Sequence, residues 1–218
     1  MTHTHTLADP RVEDALRRMF AQAEHDDLVA DRVDWGSGSE SMSPQEHADV
    51  AAEIYMPISA AGGELLYSLV RAVRPATVVE FGMSYGISTL YLAAAVRDNG
   101  AGRVVTTELS KEKIAAARRT FAETGLDDLI TVLEGDARDS LAGLDAPADF
   151  VLLDGWKDLC LPVLKVLEPG LAPGTLVVGD DSTFASMRPY LDYVRDPANG
   201  YRSVGFPVED GMEISCRL

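Results

Sequence analysis

Aspartates follow two predicted apolar strands, at the point where each strand ends. Asp154 comes directly after four apolar residues, and Asp180 and Asp181 come after a second apolar run that closes on glycine. Neighbouring parallel strands lie about 4.8 Å apart, so carboxylates at their ends can share one cation. Three carboxylates without a counter-charge would raise one another's pKa, and a divalent ion would remove that repulsion. Ligands that are all oxygen favour Mg²⁺, Mn²⁺ or Ca²⁺ over zinc.

Lys157 stands three residues after Asp154 and brings an amine to the same edge. Partial burial and a neighbouring metal would both lower its pKa, which a general base requires. Two simpler interpretations stay open. In one, Lys157 is an ordinary surface lysine; in the other, Asp181 or Ser182 caps a turn while water solvates the remaining carboxylates.

A glycine turn follows a third strand, in the stretch Glu80-Phe81-Gly82-Met83-Ser84-Tyr85-Gly86. A helical segment comes next, and a strand–turn–helix of this kind lies at the carboxyl edge of a sheet, where open α/β folds bind ligands. Gly82 and Gly86 have no Cβ, so a ligand can approach the backbone closely. The spacing is not the Gly-x-Gly-x-x-Gly of dinucleotide sites. Alone, the turn is a weak signal.

Two more acids end strands at the same predicted edge. Glu108 follows Val104-Val105-Thr106-Thr107, and an acid at this position of a nucleoside-binding sheet accepts hydrogen bonds from the ribose hydroxyls. Asp136 could accept from an exocyclic amine, because a carboxylate is only an acceptor. Either could merely cap the following helix. Together with the glycine turn, the pair favours a nucleoside ligand.

The elements that would position these residues alternate from residue 77 onward. Continuous apolar runs indicate parallel strands buried on both faces, and the repeating strand–helix order predicts a doubly wound α/β sheet. The chain is predicted to end in a hairpin, with Glu209-Asp210-Gly211 as its turn. The predicted strands are 77–82, 103–109, 130–135, 149–154, 175–180, 201–208 and 212–218. The predicted helices are 10–30, 44–55, 59–74, 87–97, 110–124, 156–168 and 188–195.

Composition limits the partners. The 218 residues carry a formal net charge of −16, which argues against a protein that follows nucleic-acid phosphates. Two cysteines, Cys160 and Cys216, make no disulfide framework in a chain of this size and favour a reducing cytoplasm. No stretch is apolar for long enough to span a bilayer, and no secretory signal precedes the first helix. We therefore expect a small-molecule ligand, without nucleic acid or membrane.

Four motifs together resemble the cation-dependent, S-adenosylmethionine-using O-methyltransferases, the group that contains the catechol and caffeoyl-coenzyme A enzymes. The motifs are Val79-Glu80-Phe81-Gly82, Asp154-Gly155-Trp156-Lys157-Asp158, Gly179-Asp180-Asp181 and Pro207-Val208-Glu209-Asp210-Gly211. The likeness runs from about Met56 to the carboxyl terminus. It implies a seven-stranded, mostly parallel Rossmann-like methyltransferase sheet with an antiparallel carboxyl-terminal hairpin and amino-terminal helices. It also implies a helical lid or extension over residues 1–57, a methyltransferase domain over 58–218 and a homodimer.

The resemblance implies a role for each site residue. Lys157 would be the base, beside a Mg²⁺, Mn²⁺ or Ca²⁺ ion on Asp154, Asp180 and Asp181, with Asp154 also counted as catalytic. A hydroxyl of a small acceptor, a vicinal diol, an aromatic or a natural product, would lose its proton and attack the sulfonium methyl. The residues implied to bind S-adenosylmethionine are Met56, Ile58, Ser59, Glu80, Gly82, Tyr85, Ser88, Glu108, Asp136, Ala137, Asp154 and Trp156. Trp35 and Tyr55 could shape the acceptor pocket or simply pack in the core.

Two departures from the family pattern bear on the substrate. The family usually has Asn where Asp181 stands, which would make this metal site more negative. The catechol enzymes place a glutamate before the last hairpin, and Ser203-Val204-Gly205-Phe206 offers none. Three rival functions stay open: a metal-independent N- or carboxyl-methyltransferase, a nicotinamide-dependent reductase that lacks the usual glycine motif, and a nucleoside-binding module without activity.

Overall fold

The computed structural model describes residues 5–33 and 42–218, and within them strands and helices alternate from Thr77 onward. The strands are β1 Thr77–Phe81, β2 Arg103–Glu108, β3 Ile130–Glu134, β4 Phe150–Leu153, β5 Leu176–Gly179, β6 Tyr201–Phe206 and β7 Met212–Arg217. The helices are α1 Pro10–Ala23, α2 Asp26–Ala30, α3 Pro44–Val50, α4 Ala60–Val73, α5 Ile87–Asn99, α6 Lys111–Thr124, α7 Ala137–Ser140, α8 Cys160–Leu167 and α9 Arg188–Arg195.

One seven-stranded sheet has the order β3-β2-β1-β4-β5-β7-β6. The first five strands are parallel, and β7 is antiparallel to both β5 and β6. Phe81 pairs with Leu153, and Leu153 pairs with Gly179, so β1, β4 and β5 end level with one another. Because β1 lies in the middle of the parallel strands, its glycine turn stands between the tips of β2 and β3 on one side and those of β4 and β5 on the other. The predicted fold class is confirmed.

Alternation along the strands divides the core into two layers. Val78 and Val79 are neighbours in β1, both fully buried, and they belong to different hydrophobic clusters because successive side chains point to opposite faces. One cluster is formed with α1, α4, α5 and α6, and the other with α7, α8 and α9. Both faces of the sheet are therefore covered, and the ligand-binding surface that remains is its edge.

The amino-terminal helices differ from the prediction. The helix predicted over 10–30 breaks after Ala23, and the one predicted over 44–55 ends at Val50. Tertiary hydrogen bonds replace the helical ones here. The backbone N–H groups of Tyr55 and Met56 each donate to the Asp26 carboxylate at 2.8 Å. Such long-range partners leave no periodic signal in the sequence.

The remaining predicted elements agree with the structure to within a few residues. The largest difference is in the helix predicted over 156–168, where α8 begins only at Cys160, after a short 3₁₀ turn over Lys157–Leu159. Trp35 lies outside the described residues. The boundary at residue 57 between an extension and a domain stays a prediction. No helix in the part of the chain that the structure describes is both long and apolar enough to cross a membrane.

Candidate active site

A cavity of about 710 Å³ opens at the carboxyl edge of the sheet. Its floor is the glycine turn after β1. One end, which we call the nucleoside end, carries Glu108 and Asp136; the other, the carboxylate end, carries Asp154, Asp180 and Asp181. Of the twelve residues predicted to bind the cofactor, ten line this cavity: Met56, Ile58, Gly82, Tyr85, Ser88, Glu108, Asp136, Ala137, Asp154 and Trp156.

The carboxylate end brings the three predicted aspartates together. One oxygen from each of Asp154, Asp180 and Asp181 lies within 4.8 Å of the other two. The Lys157 ammonium lies between two of them, with Nζ 2.7 Å from Asp154 Oδ1 and 2.8 Å from Asp181 Oδ2. Asp181 adopts φ +54°, a left-handed conformation that an Asp side chain tolerates better than most. This turn brings its carboxylate back to the lysine.

Burial at the carboxylate end disfavours the charged form of two of its acids. Burial, and next the charge of Asp154, raise the pKa of Asp180 to about 8, although Lys157 opposes the shift. Burial also raises the pKa of Asp154, although the same lysine opposes it. A single ammonium therefore does not fully compensate the burial of Asp154 and Asp180. Binding of a further cation would stabilise such a site.

The pKa of Lys157 is not lowered as expected. Burial lowers it, but attraction to Asp154 and Asp181 outweighs burial and raises the pKa well above its usual range. The ammonium is thus firmly protonated while both carboxylates are free to pair with it. A role as base requires that something else take over the charge of the two acids.

The glycine turn is shaped by close backbone contacts. Gly82 has φ +96°, and a Cβ added there would lie 2.5 Å from the Gly155 backbone. The turn after β1 and the turn after β4 therefore touch without a side chain between them. Glycine is required at position 82 both for its conformation and for this contact.

Glu80 and Ser59 do not line the cavity within the described residues. Glu80 is fully buried behind the turn, where its carboxylate accepts hydrogen bonds from the hydroxyls of Ser88 (2.6 Å), Thr89 (2.5 Å) and Thr106 (2.5 Å). Ser59 Oγ caps α4 by accepting from the Gly62 N–H at 3.0 Å. In this structure both support the cavity wall, and Glu80 does so by joining β1, β2 and α5.

At the nucleoside end the two predicted acids are held by their own neighbours. Glu108 Oε2 accepts from the Ser84 N–H at 2.8 Å, and Oε1 accepts from the two following N–H groups at 2.9 Å each. Asp136 caps α7 through the Arg138 N–H and is paired with the Arg138 guanidinium. The side-chain hydrogen bond to Arg138 lowers the pKa of Asp136. The capping role that the sequence left open is present for Asp136.

Three further features of the cavity were missed or undervalued in the sequence. The Tyr55 and Tyr85 rings stack at 4.0 Å between centroids, so Tyr55 does line the cavity. The ring of His47, on α3, lies 5.2 Å from the Trp156 ring between centroids, at the cavity wall. Lys113 is a buried lysine in the lining. Helical spacing on α6 would have placed Lys113 on the inner face with Ile114 and Ala117.

Known proteins have a similar sheet and a related sequence. A family model described as a methyltransferase domain matches residues 79–182. Catechol O-methyltransferase B of Danio rerio is 28% identical over 98% of this chain and 85% of its own length. Catechol O-methyltransferase of Mus musculus is 29% identical over 64% of this chain, which spans about half (55%) of that relative. The solved O-methyltransferase of Bacillus cereus in complex with SAH has a TM-score of 0.67, at 21% identity, over 92% of this chain and 100% of its own.

The sheet, its antiparallel hairpin and the glycine turn at its centre are those of a class I methyltransferase. Within that class the similarity to the catechol enzymes extends over nearly the whole chain. In fold and in sequence the chain is thus similar to the class I, S-adenosylmethionine-dependent O-methyltransferases.

Proposed function

We propose that this chain methylates one hydroxyl of a small acceptor that has two neighbouring oxygens, and that it does so with a divalent cation, Mg²⁺ in the first place. The observation that supports this most is the convergence of three aspartate oxygens within 4.8 Å, beside Lys157 and at one end of the cavity. Vicinal diols and catechols are acceptors of this kind.

The donor set fits a hard divalent cation. Asp154, Asp180 and Asp181 offer only oxygen, and burial destabilises the first two as free anions. These three residues would hold the ion. An ion bound there would take over their negative charge and lower the pKa both of Lys157 and of a hydroxyl beside it.

The cavity also fits S-adenosylmethionine. Its volume lies within the range of about 300–1,000 Å³ that is usual for small-molecule sites. Glu108 would accept from the ribose and Asp136 from the adenine amine, while Gly82 leaves room for the amino-acid part close to the backbone. When bound, the cofactor supplies an electrophilic methyl group. In the order of the sheet, that group would lie between the nucleoside end and the carboxylates.

The protein's own residues would then act by position. Lys157 Nζ, fixed by two carboxylates, is the amine nearest the proposed acceptor oxygens and would take up the hydroxyl proton. Met56 and Trp156 are apolar walls of the cavity and would keep water from the methyl group. Holding both reactants in one orientation is the main source of rate in a transfer of this type.

Methyl transfer from labelled S-adenosylmethionine to a panel of catechols and other vicinal diols tests the proposal. We expect turnover with Mg²⁺, loss of turnover with excess EDTA, and recovery when Mg²⁺ or Mn²⁺ is returned. Matched mono-hydroxy phenols should be poor acceptors, because they offer one oxygen only. Turnover that is unchanged by EDTA would contradict the metal part and leave the methyl transfer standing.

One observation favours an alternative. Lys157 already neutralises part of the charge of Asp154 and Asp181, so the acids could serve without a metal and attract a cationic amine acceptor. Transfer to amines or carboxylates that survives chelation would support this metal-independent enzyme.

Activity in the cytoplasm as a homodimer remains a proposal as well, and light scattering of the purified chain measures its mass in solution.

A further inference from the structure

Lys113 is a buried lysine whose ammonium has no hydrogen-bond or ion-pair partner among the described residues. Only 3% of the residue is exposed, and it lines the nucleoside end of the cavity. Its ammonium lies 5.6 Å from the centroid of the Tyr85 ring. Within the described residues no hydrogen bond or ion pair holds this ammonium. Burying an ammonium without hydrogen bonds is costly, so its position calls for a ligand that accepts them.

The neighbouring carboxylate is already fixed in place. Glu108 accepts three backbone N–H groups, from Ser84, Leu109 and Ser110. These bonds fix its orientation, but a carboxylate can only accept. A ribose hydroxyl that donates to Glu108 still has lone pairs that need a donor. Lys113 lies on the first turn of α6, where its N–H donates to the capping Ser110 Oγ at 3.3 Å. The charge of Glu108 is near enough to act on the pKa of the Lys113 ammonium and raises it.

We propose that Lys113 is a further cofactor-binding residue: its ammonium donates to a ribose hydroxyl oxygen of the nucleoside while that hydroxyl donates to Glu108. The inference rests on the proposed function, which supplies the nucleoside. It adds a donor to a part of the site where the sequence predicted only an acceptor. Burial lowers the pKa of Lys113 to about 8, against the attraction of Glu108 and Asp26, so the side chain is still mostly a cation at neutral pH.

Calorimetry with S-adenosylhomocysteine and its 2′-deoxy and 3′-deoxy analogues tests this contact. Lys113→Met keeps the length of the side chain and removes the donor. We expect it to weaken S-adenosylhomocysteine by at least about tenfold, the usual cost of a hydrogen bond to a charged group. More telling, the deoxy analogue that loses affinity in the wild type should lose much less in the variant, because the partner of the missing oxygen is gone.

Matched variants separate the contact from a structural role. Lys111→Met, two residues earlier on the exposed side of the same helix, should bind all three ligands as the wild type does. If Lys113→Met does not fold, Lys113→Leu, a shorter apolar side chain that also lacks a donor, gives the same comparison. An unchanged ratio between deoxy and parent ligands in the variant would overturn the inference. A wild type that binds no S-adenosylhomocysteine would instead overturn the proposed function.

Discussion

The two ends of the cavity use acidic residues in opposite ways. At the nucleoside end, Glu108 accepts hydrogen bonds from three backbone N–H groups, and hydrogen bonding to Arg138 lowers the pKa of Asp136. At the carboxylate end, burial raises the pKa of Asp154 and Asp180, and Lys157 compensates only in part. The anionic form of Asp136 is therefore stabilised at one end, and the anionic forms of Asp154 and Asp180 are destabilised at the other.

Because of this difference, the acids of the nucleoside end suit the orientation of a ligand, and those of the carboxylate end suit the binding of a cation. Acids that the fold itself satisfies are rigid acceptors, and they suit a neutral ligand whose hydroxyls and amine must be read in one orientation. Acids that the fold leaves in mutual repulsion store unfavourable energy, which a bound cation releases. Strongly shifted acids that gather in a cavity are typical of sites that do chemistry.

The largest effect should come from removing one acid at each end. We expect Asp180→Ala to lower Mg²⁺-dependent methyl transfer by at least about a hundredfold, since loss of outer-shell partners alone costs up to that much in metal sites. Its affinity for S-adenosylhomocysteine should stay close to that of the wild type. Asp136→Asn retains an oxygen for the cap on α7. It should weaken the binding of S-adenosylhomocysteine and leave the Mg²⁺ dependence of methyl transfer nearly unchanged. Equal effects of both variants on both measurements would break the division between the ends.

The next effect concerns the turn that joins the two ends. Gly82→Ala adds a Cβ 2.5 Å from the Gly155 backbone at φ +96°, so we expect unfolding by urea to show a loss of about 3 kcal/mol or more. Gly135→Ala is the matched control, because its φ is +104° and nothing lies within 4 Å of the added Cβ. It should lose only about 1 kcal/mol, the cost of the backbone conformation alone. Equal losses would mean that the contact between the turns is unimportant.

The sequence predicts the sheet well and the site only in part. Apolar runs ending in Asp154 and Asp180 locate both strands and the edge where their carboxylates meet, because parallel strands share one carboxyl edge. The amino-terminal segment is different: Asp26 binds the N–H groups of Tyr55 and Met56, about thirty residues away. A hydrogen bond across such a distance has no periodicity to reveal it.

The balance of charge around Lys157 and Lys113 also cannot be predicted from local sequence patterns. The family resemblance names Lys157 as a base, but the direction of its pKa depends on which carboxylate oxygens reach Nζ. Asp181 does so from a left-handed backbone conformation, which the sequence does not reveal. Lys113 escaped notice for a similar reason, since a lysine on an otherwise amphipathic helix is usually solvated and its burial is set by packing.

Glu80 lies beneath the turn between the two ends and should give the protein a pH dependence of its own. Burial raises its pKa from 4.5 to about 7, although hydroxyl hydrogen bonds from Ser88, Thr106 and Thr89 oppose this. Between those values the unfolded chain has released a proton that the folded chain retains, so stability falls as pH rises. Glu80→Gln does not titrate, and its free energy of unfolding should fall less between pH 5 and pH 7.5, by about 1–3 kcal/mol. Urea titrations of both proteins at the two pH values measure this, and parallel losses would contradict it.

The smallest effect should come from replacing Lys113 and measuring stability without cofactor. The informative result is whether the variant is more or less stable than the wild type. Burial lowers the pKa of Lys113 to about 8, with the Glu108 and Asp26 carboxylates opposing the shift and the Tyr85 ring as its other near neighbour. At pH 7 the lysine is charged both in the folded and in the unfolded chain, and folding has to bury that charge. We therefore expect Lys113→Met to stabilise the ligand-free protein at pH 7, by about 1–2 kcal/mol.

The stabilisation should shrink as pH rises from about 8 toward 10.5, because the folded wild type loses its proton first and is no longer penalised. Thermal and urea unfolding of both proteins at pH 7 and pH 10, without cofactor, measure the difference. A lysine kept for structure would give the opposite result, a variant less stable at pH 7. A variant that is more stable alone but binds the nucleoside more weakly would mean that the nucleoside end, like the carboxylate end, holds a charge that only its ligand satisfies.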